Sequence, residues 1–257
     1  MHPPGWKFID AGEQPGSVNM AVDESLARAL AEGKGTPSLR LYRWKPWGIS
    51  LGHHQSAGEL DAARCAAEGV DIVRRPTGGR AILHAEELTY SVIMPAGRKS
   101  ILQVYNEISA ALVRGLGLYG VDVTLQKSQP DFAKEYRTSA SVPCFASSAR
   151  YEIEWRGRKL VGSAQRRFAG AAGDAVLQHG SILCGDAHLG LARYLAGGPA
   201  EARERMADML RERTADLRMI TGESVEMDRL GECIRRGFEE AWGLEFAGVP
   251  SPHTQSA

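Results

Sequence analysis

Cys144 has the sequence setting best suited to chemistry. It lies in Val142-Pro143-Cys144-Phe145-Ala146-Ser147-Ser148, a loop-like run whose serines leave a thiol open to substrate, and the chain then returns through a hairpin to Lys159. A free thiol has a pKa near ~8.5, so only a few per cent is thiolate at neutral pH, and an ammonium group beside it raises that fraction. Each unit of lowering takes about 1.4 kcal/mol, within reach of one partly desolvated lysine. A lone cysteine is ordinarily a small buried hydrophobe, and residue type alone does not choose between the two. Cys65 and Cys233 fall in helical patterns and Cys184 ends an apolar strand, so these three read as buried. No CxxC pair is present, which argues against a zinc ribbon or a disulfide scaffold and fits free thiols in a reducing compartment.

A second candidate is Arg74-Arg75-Pro76-Thr77-Gly78-Gly79-Arg80-Ala81-Ile82-Leu83-His84. Gly78 and Gly79 let backbone approach a ligand closely, and flanking Arg75 and Arg80 suit a carboxylate, a phosphate or a pantetheine phosphate. A glycine turn with solvated arginines explains the same residues. Gly162-Ser163-Ala164-Gln165 and Gln178-His179-Gly180-Ser181 place small side chains beside amides, which makes room for a slender ligand with Gln165 or Gln178 at its polar end. Close strand packing, with His179 a satisfied structural histidine, is the ordinary alternative. His53, His54, His84 and His179 match no metal-ligand spacing, so no metal is expected. Gly115-Leu116-Gly117-Leu118-Tyr119-Gly120 fits GxGxxG, but it closes a helix instead of opening one and reads as a helix stop. There is no P-loop.

The elements that must position these residues alternate irregularly. A helix is expected over Ser17 to Glu32 behind a Ser17 or Asn19 cap, then strands at Leu39 to Trp44 and Gly48 to Gly52 joined as a hairpin by Lys45-Pro46. A short helix from Glu59 to Glu68, strands at Val70 to Arg74, Ala81 to His84 and Leu88 to Met94, and a helix from Ile101 to Leu118 follow. After an irregular stretch from Gln126 to Ala140 come strands at Tyr151 to Trp155, Lys159 to Gly162 and Val176 to Leu183, the first pair turning at Arg156-Gly157-Arg158. Two helices dominate from Gly198. The order predicts an α+β fold with a mixed, largely antiparallel sheet flanked by helices. One catalytic domain is expected over 1–248, with 198–248 a helical extension and 249–257 a disordered tail.

Taken together the motifs are similar to a known family. Arg74 to His84, followed by Glu87-Leu88-Thr89-Tyr90-Ser91-Val92, resembles the RRxTGG signature of the biotin/lipoate protein ligase superfamily. Asn19 to Glu24 and Trp44 to Gln55 resemble its opening helix and hairpin. Cys144-Phe145, Lys159 to Arg167 and Leu177 to Leu183 extend the likeness over most of Gly5 to Leu183, and within the superfamily it is nearest to cysteine-dependent octanoyltransferases of the LipM type. The resemblance implies the superfamily's catalytic-domain fold. It further implies that Cys144 attacks octanoyl-acyl carrier protein and that the acyl group then passes to a lysine of a lipoyl-domain protein such as the glycine cleavage H protein. Lys159 would position the acyl carbonyl and favour thiolate. Gly78, Gly79, His84, Gly162, Ser163 and Ala164 would line the acyl site, with Arg75 and Arg80 beside it, and no cofactor is needed. The alternatives are an ATP-dependent lipoate–protein ligase, an octanoyl amidotransferase between lipoyl domains, and a non-catalytic acyl- or carrier-binding protein.

Composition sets outer bounds. The 257 residues are 43% hydrophobic and 24% charged, the profile of an ordinary globular core, which argues against disorder and fibres. Thirty-one Lys plus Arg balance 31 Asp plus Glu, so bulk charge points to neither nucleic acid nor membrane, and recognition has to be local. Basic clusters at Arg74/Arg75/Arg80 and Arg156/Arg158/Lys159/Arg166/Arg167 are the surfaces that would meet an acidic carrier. Without a signal-like or membrane-spanning run, a cytoplasmic monomer is expected.

Overall fold

Two sheets of unequal size face each other in the computed structural model, which describes residues 5–125, 152–197 and 199–247. Cys144 and the C-terminal tail lie outside the described residues. Strand β1 (Lys7–Gln14) leads into helix α1 (Gly16–Ala31), and β2 (Ser38–Trp44) returns parallel to β1. Then come β3 (Gly48–Leu51), α2 (Ala62–Ala67), β4 (Asp71–Arg74), β5 (Ile82–His84) and β6 (Glu87–Pro95). Helix α3 (Ile101–Tyr119) precedes β7 (Thr124–Leu125), β8 (Ile153–Trp155), β9 (Arg158–Phe168) and β10 (Ala175–Leu183). A 3-10 segment (Ala187–Tyr194) and helices α4 (Ala200–Arg213), α5 (Leu217–Thr221) and α6 (Met227–Trp242) follow.

The large sheet runs β1-β2-β6-β10-β9-β8-β7 and the small one β4-β3-β5; every pairing except β1/β2 and β3/β4 is antiparallel. This is the mixed, largely antiparallel α+β fold that the sequence order predicts. Period-two alternation assigns the faces. Tyr90, Val92, Val176 and Ile182 join Ile108, Leu112, Ile234 and Phe238 in the main core under α3 and α6, whereas Ile93 and Leu177 pack with Ala27 and Ala31 of α1. The small sheet has its own core, in which Ile49, Leu51 and Leu83 meet Cys65, Leu191 and Tyr194. Among the described residues no helix is long and apolar enough to cross a membrane.

Several elements differ from expectation. β2 and β3 do not form a hairpin: the Lys45-Pro46 turn carries the chain from the large sheet into the small one, and each strand is interior to its own sheet. α1 begins at Gly16 behind Pro15, with no side-chain cap. Ser17 and Asn19, the two expected caps, both lie inside the helix, and Asn19 donates its amide to the carbonyls of Gln14 and Arg43. Two long helices, α4 and α6, dominate the described residues after 198 as expected, with the five-residue α5 between them. Other readings stand. α3 ends at Tyr119 with Gly120 in the left-handed region, so GxGxxG is a helix stop. Gly115 also lets α6 approach, since a Cβ there would lie 2.8 Å from the Ile234 Cα of that helix, and Gly237 faces it in the same way. Arg156 and Gly157, at φ 50° and 76°, form the β8–β9 turn, the pair of positive φ values that a type I′ hairpin needs.

Candidate functional site

A pocket lies where the two sheets and α1 meet. Met20 comes from α1, Tyr42 and Trp44 from β2, Ser50 from β3, Ile82 and His84 from β5, and Thr89 from β6. Gly162 to Ala164 of β9 and His179 to Ser181 of β10 close the other side, with Arg75 following β4.

The polar side chains of this wall are held by one another. Asp23, buried on α1, accepts from Arg40 Nη1 at 2.9 Å and from the Tyr42 hydroxyl at 2.9 Å, and it meets His179 Nδ1 at 3.1 Å. His179 Nε2 lies 2.7 Å from the Thr77 hydroxyl, so a carboxylate, an imidazole and a hydroxyl in series tie α1 to the glycine turn between β4 and β5. Glu87, His84 and Ser50 repeat the arrangement: Glu87 Oε1 is 2.8 Å from His84 Nδ1, and His84 Nε2 is 2.7 Å from Ser50 Oγ. With Glu87 holding the Nδ1 proton, Nε2 takes the Ser50 hydroxyl hydrogen, and Arg75 Nη1 donates to Ser50 Oγ at 3.0 Å. Trp44 stacks on the His84 ring at 3.8 Å and donates its indole N–H to Thr89, which donates in turn to Glu87. Buried polar groups need such partners; Glu87 Oε2 and Arg40 Nε, behind the wall, are the members of this network left without a hydrogen bond among the described residues, and the lining itself offers a ligand mainly ring faces and carbon.

Gly180 explains the far side. It pairs with Tyr90 on one neighbouring strand and with Ser163 on the other, and the Tyr90 hydroxyl crosses above it to Ser163 Oγ at 2.6 Å. A Cβ here would lie 2.8 Å from the Tyr90 ring, so only glycine allows the crossing. Gln178 donates to the same hydroxyl at 3.0 Å and accepts from Gln165 at 3.0 Å, so both amides are engaged within the sheet. Burial pushes the Tyr90 phenol up to about 12 despite these bonds, and burial with the nearby Asp23 charge raises that of Tyr42 as well.

Five expected site residues, Arg75, His84, Gly162, Ser163 and Ala164, line this pocket. Gly78, Gly79 and Arg80 are not among its lining residues: the two glycines are exposed on the turn, and Arg80 pairs with Glu59 at 3.5 Å. Arg75 anchors that turn by donating to the carbonyls of Gly78 and Arg80, and Arg74 donates to those of Gly52, His53 and Gln55. Both guanidinium groups therefore brace backbone. Lys159 sits on β9 before the pocket-lining residues, buried and ion-paired with Glu152. Cys144 lies outside the described residues. Cys65, Cys184 and Cys233 are buried, and burial pushes each thiol upward.

Residues 15–239 match the lipoyl protein ligase A/B catalytic domain. The chain belongs to that family. An octanoyltransferase LipM of Kyrpidia tusciae is 38% identical across 94% of this chain and 88% of its own length, and one of Symbiobacterium thermophilum is 38% identical across 93% and 87%. A bi-partite lipoate protein ligase of Thermoplasma acidophilum shares the fold, with a TM-score of 0.75 at 23% identity over 96% of this chain and 87% of that one. Within this lipoyl protein ligase fold, the sequence reading missed the pocket residues Tyr42, Trp44 and Ser50, and behind them Asp23 and Glu87, which hold the lining histidines. One signal was present: Asn19 and Asp23 lie four apart on the stripe of α1 that also carries Met20, Ala27 and Ala31. Polar residues on a buried helical face need partners from elsewhere in the fold.

Proposed function

We propose that this chain is an octanoyltransferase of lipoate biosynthesis that carries its acyl group as a thioester on Cys144. The Cys144 thiolate attacks the thioester carbonyl of octanoyl-acyl carrier protein; a new C–S bond forms, the old one breaks, and the carrier leaves as a thiol after taking up a proton. The deprotonated lysine amine of a lipoyl-domain protein then attacks the enzyme thioester. A C–N bond forms, the C–S bond breaks, and the proton lost by nitrogen restores the Cys144 thiol. One thioester replaces another, so the first step needs no ATP. Lys159 is the ammonium assigned to hold the carbonyl oxygen and favour thiolate, and the pocket beyond it on β9 receives the octanoyl tail.

The observation that carries this reading is the apolar pocket whose lining histidines, serines and threonine are held by hydrogen bonds to neighbouring side chains, with Lys159 preceding its β9 residues. Burying about six methylenes there at about 0.8 kcal/mol each supplies on the order of 5 kcal/mol. Relatives 34–38% identical over most of the chain carry the octanoyltransferase name, and the three described cysteines are buried with raised thiols, which suits a nucleophile at the fourth. Intact-mass analysis after mixing with octanoyl-acyl carrier protein, without ATP, should show one added octanoyl group that Cys144→Ala abolishes. Acylation seen only with octanoate plus ATP would make the chain a ligase instead.

A further inference from the structure

A second cleft, enclosing about 610 Å³, opens at one end of the large sheet. Its basic side chains are Arg158, at the start of β9, Arg211 of α4 and Arg218 of α5; its acidic ones are Asp186 and Asp216. The acids are committed. Asp186 pairs with Arg218 at 2.7 Å, and Asp216 Oδ1 accepts the backbone N–H of Met219 at 2.9 Å as the cap of α5. Arg218 is also held by Glu86 at 3.1 Å, and Arg211 by Asp208 at 2.6 Å. Arg158 stands apart. Its Nη1 meets the sulfur of Met219 at 3.3 Å, its Nη2 meets the Arg211 carbonyl, and its Nε is buried without a hydrogen-bond partner. Among the described residues no carboxylate pairs with Arg158. A guanidinium that lacks an anion, at the mouth of a cleft with Arg211 beside it, is suited to a phosphate.

The cleft is in line with the acyl pocket. Arg158 lies four residues before Gly162 on β9, and Asp186 lies five after Ser181 beyond β10, so about 13 Å of strand separates the two at about 3.3 Å per residue. A phosphopantetheine arm has about thirteen bonds from phosphorus to sulfur, which extend to about 15 Å at backbone-like spacing. Arg74 and Arg75, the arginines whose sequence setting suggested a phosphate site, are occupied by backbone carbonyls and do not compete for this role.

We infer that the Arg158/Arg211 cleft binds the phosphodiester of the donor's phosphopantetheine arm and sets the distance at which the thioester meets the nucleophile. The inference rests on the octanoyltransferase reading above. The test compares octanoyl-phosphopantetheine with octanoyl-pantetheine, donors that differ only by the phosphate. The native protein should prefer the first in kcat/KM by about tenfold or more, and Arg158→Gln, Arg211→Gln and the double variant should progressively erase the preference. Damage to folding or to Lys159 would slow both donors alike and leave the ratio intact. A second measurement needs no variant: phosphopantetheine should inhibit acylation of the native protein at least tenfold better than either pantetheine or inorganic phosphate. An equal ratio in native and variant proteins, or inhibition by inorganic phosphate as strong as by phosphopantetheine, overturns the inference while the octanoyltransferase reading stands. Failure of the native protein to accept octanoyl from either donor or from the carrier overturns both.

Discussion

Replacing Asp23 by alanine should destabilise the protein far more than a single surface charge can. The Asp23 carboxylate is fully buried and its partner Arg40 is 2% exposed in its side chain, so solvent cannot reach the guanidinium that the substitution strands. Removing one member of a buried pair costs about 3–5 kcal/mol, and here the Tyr42 hydroxyl and His179 Nδ1 lose an acceptor too. At about 2–4 °C per kcal/mol for a chain near this size, Tm should fall by roughly 10 °C. Urea unfolding followed by circular dichroism measures the change, and an unaltered slope would show that the denatured state is not its source. The reasoning makes a second demand. Arg40→Met added to Asp23→Ala should recover part of the loss, because the orphaned charge is removed with its partner. A loss below about 1 kcal/mol for Asp23→Ala, or a double variant weaker than the sum of the singles, would refute the account of the pair.

Other expectations follow from the same geometry. Lys159→Ala removes the ion-pair partner of buried Glu152 and should lower both Tm and the acylation rate; adding Glu152→Gln should recover part of the Tm while leaving acylation slow, and recovery of both by the double variant would remove Lys159 from the chemistry. Stability should fall as pH rises above about 9 towards 12, because the buried thiols, Cys184 above all, and the Tyr42 and Tyr90 phenols hold their protons more tightly folded than unfolded; Tyr90 alone contributes up to about 3 kcal/mol, and Tyr90→Phe should lessen the slope between pH 10 and 12 without abolishing it. Urea midpoints taken across that range check it, and a native profile level through pH 11 would contradict it. Hexanoyl donors should be about fifteenfold worse than octanoyl in kcat/KM, from two methylenes at about 0.8 kcal/mol each; equal rates measured with both donors would show that the tail is not buried in the pocket.

Much of the fold is legible in the sequence because burial imposes a period. β6 and β10 read as long apolar runs since helices and the small sheet cover both their faces, and α3 carries an apolar stripe behind a Ser100/Gln103 capping box. β1 escapes notice because it is an edge strand of mostly exposed or half-exposed residues, with Gly12 and three charges in eight positions. The supposed β2–β3 hairpin fails for another reason. Two apolar runs separated by a proline turn suit either a hairpin or a step between sheets, and only the partners of Gly48 to Leu51, which are β4 and β5, decide. At the site, glycines and histidines were visible by type, but the groups that orient them were not. Asp23 and Glu87 look like ordinary charges until the chain is folded and each meets an imidazole.

Because Ser50, His84, Thr89 and His179 each hold a neighbouring element as well as face the cavity, its outline is effectively cast before any guest arrives. Little ordering entropy remains to be lost when a tail enters, which favours tight fit over adaptability. The same rigidity limits how selectivity can drift. Met20, Ile82 and Ala164 are wall residues whose side chains take part in no hydrogen bond, so substitutions there reshape the cavity without unpicking the joint between the two sheets.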